Sequence, residues 1–123
     1  MQADSRGLIV FAAMIGFAGV ALGAFGAHGL EGRLTPEGED WWSTATLYAL
    51  THAAAALAVA LSGRGGLLRL GGWLFLGGAL VFCGTLYAMA LGAPRFLGAV
   101  TPVGGVGFLS GWALCAIGAL RDR

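Results

Sequence analysis

Residues 8–27 read LIVFAAMIGFAGVALGAFGA, a run of twenty residues without a charged side chain. A helix needs about 20 apolar residues to cross the roughly 30 Å of hydrocarbon in a bilayer. The chain as a whole is 58% hydrophobic and 11% charged, whereas soluble proteins average about 25% charged residues. We therefore expect lipid, rather than water, to surround most of this protein.

Three further stretches, residues 41–61, 70–91 and 103–120, are also long and apolar enough to cross a membrane. All seven arginines and all six acidic residues lie outside the four stretches. This partition is informative because a charged side chain at the bilayer centre is costly. The sequence therefore predicts an all-α integral membrane protein, a four-helix transmembrane bundle that forms one domain over residues 1–123.

Local signals refine the limits of the helices. Thr35 offers a capping hydroxyl directly before Pro36, whose fixed φ suits the first turn of a helix. The second helix should therefore begin at Pro36 and enter the membrane at Trp41 and Trp42. A Thr-Pro pair at residues 101–102 repeats this pattern before the fourth helix. The predicted helices cover residues 8–27, 36–61, 70–91 and 103–120.

The distribution of arginine predicts the orientation. If the amino terminus lies in the cytoplasm, the inner side holds five of the seven arginines, and the outer loops hold only Arg33 and Arg95. Cytoplasmic loops of membrane proteins carry an excess of basic residues. We therefore predict a multi-pass protein of the inner (plasma) membrane with both termini in the cytoplasm.

Two other interpretations of the chain are weaker. Residues 8–27 follow Arg6 and end in small residues, as a cleaved signal peptide does, but the run is longer than a usual signal core. Four spans are therefore the better count. Nucleic-acid binding is excluded because the chain contains no lysine and its longest run of like charge is Glu39-Asp40.

Small residues recur at helical spacing within the apolar stretches. Gly19 and Gly23 are four residues apart on the first helix, and Gly107 and Gly111 on the fourth. Membrane helices associate through close packing, which small residues permit. These glycines fit two roles, packing of the helices within one molecule or association between copies of it.

His52 is the most informative polar residue of the spans. It lies eleven residues beyond Trp41, about 16 Å along a helix axis, and therefore near the middle of the bilayer. A polar cluster inside a span suggests a function, although His and Thr also join helices by ordinary hydrogen bonds. We expect His52 to bond a backbone carbonyl or a hydroxyl of the third helix. The polar intramembrane cluster comprises Thr44, Tyr48, Thr51, His52, Thr85 and Tyr87.

Metal, haem and nucleophile sites find little support in the sequence. His28 ends the first apolar segment near the outer interface, whereas His52 lies deeper, and no acidic or cysteine partner occurs at metal-site spacing. Cys83 and Cys115 lie in apolar surroundings, where free cysteine acts as a small packing residue. No nucleophile has a positioned base beside it. We therefore expect no metal, no cofactor and no catalytic residue.

Several strings of residues are jointly characteristic of a family. They are GAFGAHGL at 23–30, TLY at 46–48 followed by His52, FCGTLY at 82–87, TPVGGVGFL at 101–109 and GWAL at 111–114. Together they resemble the YgdD-like family of small inner-membrane proteins, which is similar to a vertebrate transmembrane family. The resemblance covers nearly the whole chain. It implies a four-helix membrane fold and brings no established activity, substrate or cofactor.

The motif positions of that family fall on particular residues of this chain. The positions that match are His28, Tyr48, His52, Thr101 and Pro102. The family pattern tends to place Gln directly after the tyrosine of the second helix, where this chain has Ala49. This departure argues against a Tyr-Gln-His cluster that performs obligatory chemistry.

Small residues at helix-packing spacing are abundant in the sequence, and candidate catalytic groups are few. This combination favours a non-enzymatic accessory or scaffold protein. Its expected partners are the lipid bilayer, with room for bound lipid, and a second copy of itself or a larger membrane complex. The first alternative is a small-solute or proton pathway lined by His52, Tyr48 and the threonines, since histidine can relay protons near neutral pH. A lipid- or quinone-linked enzyme ranks below it. A cavity shared by His28 and His52 would favour these alternatives, and separate dry contacts would favour packing.

Overall fold

The computed structural model describes residues 3–121, which fold into four long α-helices and one short 3₁₀ helix, Arg95–Ala99. All four α-helices are long and apolar enough to cross a membrane. The predicted all-α fold with four candidate spans is thus confirmed. The helices are α1 (Ala3–His28), α2 (Pro36–Leu61), α3 (Gly66–Ala90) and α4 (Thr101–Arg121).

Three helices begin earlier than the sequence predicts. α1 begins at Ala3 and α3 at Gly66, five and four residues before the predicted starts at 8 and 70, and α4 begins at Thr101, two residues before 103. Hydropathy locates the part of a helix that lies in hydrocarbon. The helix itself continues into the polar boundary, where water can bond the free groups of its first turn. For this reason Arg69 and Gly66 belong to α3 and not to the preceding turn.

The helix ends follow local chemistry. α2 starts behind Thr35, whose hydroxyl accepts a hydrogen bond from the Gly38 N–H at 2.9 Å. α3 is followed by Gly92, which adopts a φ of +106° that other residues rarely reach. The Thr35 cap and the turn at Gly92 give hydrogen-bond partners to backbone groups that a helix end would otherwise leave unpaired.

Each helix packs mainly on its neighbours in the chain. α2 lies between α1 and α3, and α3 lies between α2 and α4, so that α1 and α4 flank the central pair. We call the end that holds both termini and the 62–65 turn the terminal end, and the opposite end the loop end. One buried cluster, around Leu8, Val59 and Phe75, lies toward the terminal end. A second, around Ala45, Leu86 and Met89, lies toward the loop end.

Glycines bring α3 and α4 close together. A Cβ atom at Gly71 would lie 2.8 Å from the carbonyl oxygen of Gly111, and one at Gly78 would lie 2.8 Å from that of Gly104. Such contacts bring the two backbones directly against each other, which is the main source of helix association in lipid. The α4 glycines at 104, 111 and 118 and the α3 glycines at 71 and 78 are each seven residues apart. The α3–α4 contact is therefore formed by glycines that recur every seven residues on both helices.

α1 packs on α2 along its own glycines. A Cβ at Gly19 would meet Leu50, one at Gly23 would meet Thr46, and one at Gly26 would meet the Trp42 indole. The opposite face of α1 is left to lipid. It carries the exposed side chains of Val10, Phe11, Met14, Phe17 and Val20.

Candidate functional site

His52 lies at the contact between α2 and α4 and is only 6% exposed. Its Nε2 accepts a hydrogen bond from the Trp112 indole N–H at 3.0 Å. An indole can only donate, so Nε2 carries no proton and the proton of the neutral ring is on Nδ1. Nδ1 in turn donates to the backbone carbonyl of Tyr48 at 2.9 Å. Both ring nitrogens are therefore occupied, and His52 connects the two helices in its neutral form.

Aromatic rings enclose His52. Phe108 of α4 stacks on the imidazole with 3.8 Å between the ring centroids, and Tyr48 lies parallel to it at 5.8 Å. Phe75 and Trp112 contact the ring edge-on at 5.4 and 5.8 Å. These rings keep water from the imidazole, so that its two hydrogen bonds lie in apolar surroundings, where an unpaired polar group is costly.

His28 does not join this site. It lies exposed at the last residue of α1, whereas His52 is buried between α2 and α4. The cavity of about 540 Å³ near the end of α1 is lined by Trp42 but by neither histidine. Over residues 3–121, no group of three His, Cys, Asp or Glu side chains is arranged to hold a metal ion. The two histidines therefore have separate surroundings.

Thr51 of the same helix places its hydroxyl 3.3 Å from His52 Nδ1, and the hydroxyl pairs between helices lie away from His52. The hydroxyls of Thr46 and Tyr87 lie 2.7 Å apart and join α2 to α3. Those of Thr85 and Thr101 lie 2.6 Å apart and join α3 to α4. Of the two kinds of partner predicted for His52, the carbonyl is present and the hydroxyl of the third helix is not. His52 is level with Phe75, which lies ten residues, or about 15 Å, from Thr85 along α3.

The remaining predicted threonines have local roles. Thr51 is exposed and donates to the Leu47 carbonyl of its own helix at 2.8 Å, and Thr44 is half-buried. Thr101 donates to the Leu97 carbonyl at 3.1 Å and does not cap α4. The expected repeat of the Thr35 cap is wrong because the 3₁₀ helix runs directly into α4. The N–H of Val103 is already bonded to the carbonyl of residue 100.

Among His52, Trp112 and Tyr48, the three polar side chains at the α2–α4 contact, only Tyr48 lacks a partner within residues 3–121. Its ring packs on Phe82 and Phe108, with centroids 4.9 and 5.8 Å apart. The side chain is 37% exposed, and its hydroxyl makes no hydrogen bond within residues 3–121. The Tyr48 side chain lines a groove of about 550 Å³ between α2 and α4. We call this the α2–α4 groove; it is lined by Tyr48, His52, Pro102, Gly105, Val106, Phe108, Leu109 and Trp112.

The sequence analysis missed two tryptophans. Trp112 was not identified as the partner of His52, because depth along each helix does not tell which residues of two helices face each other. For Trp42 only a depth at the membrane interface was predicted; its contact with α1 was not, although it is 5% exposed and donates to the Leu22 carbonyl at 2.8 Å. The sequence feature that could have indicated the Trp42 contact is Gly26, because its lack of a side chain makes room for the indole.

Comparison with known proteins identifies the family of this chain. A family model described as "Protein of unknown function (DUF423)" matches residues 22–105. The chain belongs to this family. It is 44% identical to the UPF0382 inner membrane protein YgdD of Escherichia coli (strain K12) over 120 residues, 95% of this chain and 92% of that protein. No solved structure matches the chain.

Other relatives come from Staphylococcus and Bacillus. A UPF0382 membrane protein of Staphylococcus epidermidis is 41% identical over 115 residues, 92% of this chain and 94% of that protein. The UPF0382 membrane protein YwdK of Bacillus subtilis is 37% identical over 118 residues, 92% of this chain and 95% of that protein. The predicted resemblance and the location in the inner membrane are thus confirmed. The family description names no activity, so a function has to be argued from the structure.

Proposed function

We propose that the protein is a non-enzymatic membrane scaffold that packs with a second copy of itself along the outward face of α3. The proposal is carried by Gly77 and Gly84. Nothing lies within 4 Å of the place that a Cβ atom would take at either residue. The other α3 glycines at 71, 72 and 78 each meet a neighbouring helix there. Gly77 and Gly84 thus leave backbone open to the lipid on one face.

These two glycines belong to a longer stripe. Leu70, Gly77, Gly84 and Leu91 follow one another at seven-residue steps, and both leucines are exposed. Glycine inside a helix is about 1 kcal/mol less favourable than alanine. Close approach of a second helix offsets this cost, because packing replaces the missing side-chain contacts. A two-fold dimer brings the same face of both copies together, and it is the commonest form of homo-oligomer.

The arrangement of polar groups supports a packing role. A proton or solute pathway needs a connected polar lining, whereas the hydrogen bonds between the α-helices of residues 3–121 form four separate pairs, at Trp42, Thr46, His52 and Thr85. Each pair joins two helices and leaves few free hydrogen-bond donors or acceptors for a transported or reacting group. These contacts favour a rigid bundle that presents its outer faces to other helices.

The proposed orientation has both termini in the cytoplasm. It is supported by the described arginines: Arg6, Arg64, Arg69 and Arg121 lie at the terminal end, against Arg33 and Arg95 at the loop end.

The experiment that tests self-association is fluorescence energy transfer between labelled copies in native-like membranes. Wild type should give a transfer signal that the Gly77→Ile/Gly84→Ile double variant lacks, because the added side chains hold the backbones apart. The control is Ala113→Ile/Ala119→Ile on exposed positions of α4, which should keep the signal. Unchanged helix content checks that the double variant folds. A strictly monomeric wild type in membranes and mild detergent would overturn the proposal.

A further inference from the structure

The α2–α4 groove extends over much of one leaflet. Its α4 wall runs from Pro102 near the loop end to Trp112, ten residues and about 15 Å deeper. Its volume of about 550 Å³ lies within the range of roughly 300–1,000 Å³ that is typical of ligand pockets. Val106, Leu109 and Trp112 are exposed although they lie in a candidate span. The groove therefore opens sideways toward lipid.

One hydrogen-bond donor in this groove is free. His52 and Trp112 satisfy each other, and the other lining residues on α4 are apolar. Of the polar side chains that line the groove, only the Tyr48 hydroxyl has no partner within residues 3–121. A donor without an acceptor is unfavourable in hydrocarbon, where water does not compensate it. The occupant of the groove should therefore bring an acceptor to Tyr48.

The depth of Tyr48 limits the chemistry of that acceptor. Tyr48 lies seven residues, or about 10 Å, below Trp41. Helical side chains lean toward the helix N-terminus, which for α2 is the loop end, so the hydroxyl reaches toward the membrane boundary. The acceptors that a bilayer offers just below its boundary are the ester carbonyls of its lipids.

A positive charge lies at the mouth of the groove. Pro102 lines both the groove and a smaller cavity of about 290 Å³, which is also lined by Arg95 and Trp41. The Arg95 guanidinium lies over the Trp41 ring at 5.7 Å from its centroid and pairs with Glu37. Its side chain is exposed and has donors to spare for an anion. A cation, a hydroxyl donor and an apolar channel thus follow one another from the boundary inward.

This order matches that of a glycerophospholipid. We propose that the α2–α4 groove binds one diacyl glycerophospholipid, whose phosphate lies near Arg95, whose ester carbonyl accepts from the Tyr48 hydroxyl, and whose acyl chain lies along α4 to Trp112. An isoprenoid quinone would match the ring-lined wall but would bring no phosphate to the remaining donors of Arg95. The site is independent of the α3 face, so that it can fail while self-association holds.

The test of the Tyr48 contact compares two lipids that differ only in the carbonyl. Diester and diether phosphatidylglycerol of equal chain length are titrated into the full-length protein in detergent, and bound lipid is counted by native mass spectrometry. Wild type should bind the diester on the order of fivefold more tightly, as expected for one hydrogen bond. Tyr48→Phe keeps the ring and should bind both lipids equally. Equal binding of the two lipids by wild type would overturn the proposal.

A second pair of variants tests the location of the site. Gly105→Phe should fill the groove and abolish binding of the diester lipid, since the nearest atom to a Cβ there is 3.9 Å away and leaves room for the new side chain. Val103→Phe, on the same helix but outside the groove, should bind as wild type does. Undiminished binding by Gly105→Phe, or displacement of phospholipid by a quinone of the membrane, would refute the assignment.

Discussion

The His52–Trp112 hydrogen bond is the one polar link between α2 and α4 in the described chain, and its strength can be measured. Trp112→Phe removes the donor and leaves Nε2 of a buried ring without a partner. Hydrogen bonds between membrane helices are worth about 0.6 kcal/mol on average and up to about 1.7. The enclosing aromatic rings favour the upper part of that range.

We therefore expect a double-mutant cycle of Trp112→Phe and His52→Phe to give a coupling free energy of about 1 kcal/mol in reversible unfolding in mixed micelles. The matched control is Trp73→Phe. Trp73 contacts Phe11 of α1 rather than His52, so its coupling to His52→Phe should be near zero. Equal coupling in the two cycles would show that the bond contributes nothing specific.

The sequence predicts the depth of His52 but not its partner. Depth follows from counting residues along one helix, at a fixed rise per residue. The partner depends on how α4 is shifted and rotated against α2, which neither helix specifies alone. Thr85 and Trp112 are both polar residues within spans, and only the packed bundle brings Trp112 to the level of His52.

At the scale of the helices, the α3–α4 contact should be intolerant of a single methyl group. A Cβ at Gly111 would lie 2.7 Å from the ring of Phe75, which is fully buried, and 2.9 Å from the carbonyl oxygen of Gly71. Neither neighbour has space to move, and overpacking of this kind typically costs about 1–3 kcal/mol. We expect Gly111→Ala to lower the free energy of unfolding by about 2 kcal/mol.

Gly105→Ala is the control for that substitution. Gly105 lies on the same helix, and the nearest atom to its added Cβ would be 3.9 Å away. Its free energy of unfolding should be unchanged or higher by up to about 1 kcal/mol, since alanine is the better helix former. Equal losses for the two variants would contradict a specific role of the glycine contact, because helix propensity favours alanine at both positions.

The spans could be predicted from the sequence, and the glycine repeat could not. Hydrocarbon excludes charge so strongly that the four segments are evident from composition alone. Gly107 and Gly111 suggest a four-residue stripe, whereas the structure also buries Gly104 and Gly118 against α3. The seven-residue repeat forms a close contact only where the glycines of α3 lie opposite it. That register depends on how the two helices pack, and neither helix specifies it alone.

At the scale of the whole molecule, the bundle has faces of different kinds. α1 presents bulky apolar side chains such as Phe11 and Phe17, which suit fluid lipid. α3 presents Gly77 and Gly84, which suit a close helix, and the α2–α4 groove presents Tyr48. In lipid the hydrophobic effect does not select among apolar surfaces. Shape and single polar groups therefore determine what each face contacts.

Self-association along α3 depends on the orientation of the whole molecule. Two copies related by a two-fold axis along the membrane normal bring Gly77 and Gly84 into register only if both copies insert the same way. The described arginines, four at the terminal end against two at the loop end, favour the proposed orientation with the terminal end in the cytoplasm. The proposed dimer thus requires the same uniform orientation that the charges predict.

We expect single-cysteine labelling to show this uniform orientation. In intact cells a membrane-impermeant maleimide should label Glu31→Cys in the loop that follows α1, and should label Ser62→Cys in the turn between α2 and α3 only after permeabilisation. The wild-type chain is the control, because Cys83 and Cys115 lie within the spans and should stay unlabelled. The reverse pattern would invert the topology. Labelling of both variants in intact cells would mean that the protein inserts in both orientations. Two oppositely inserted copies would meet with their α3 helices antiparallel. Such a pair could not place Gly77 and Gly84 in the proposed register.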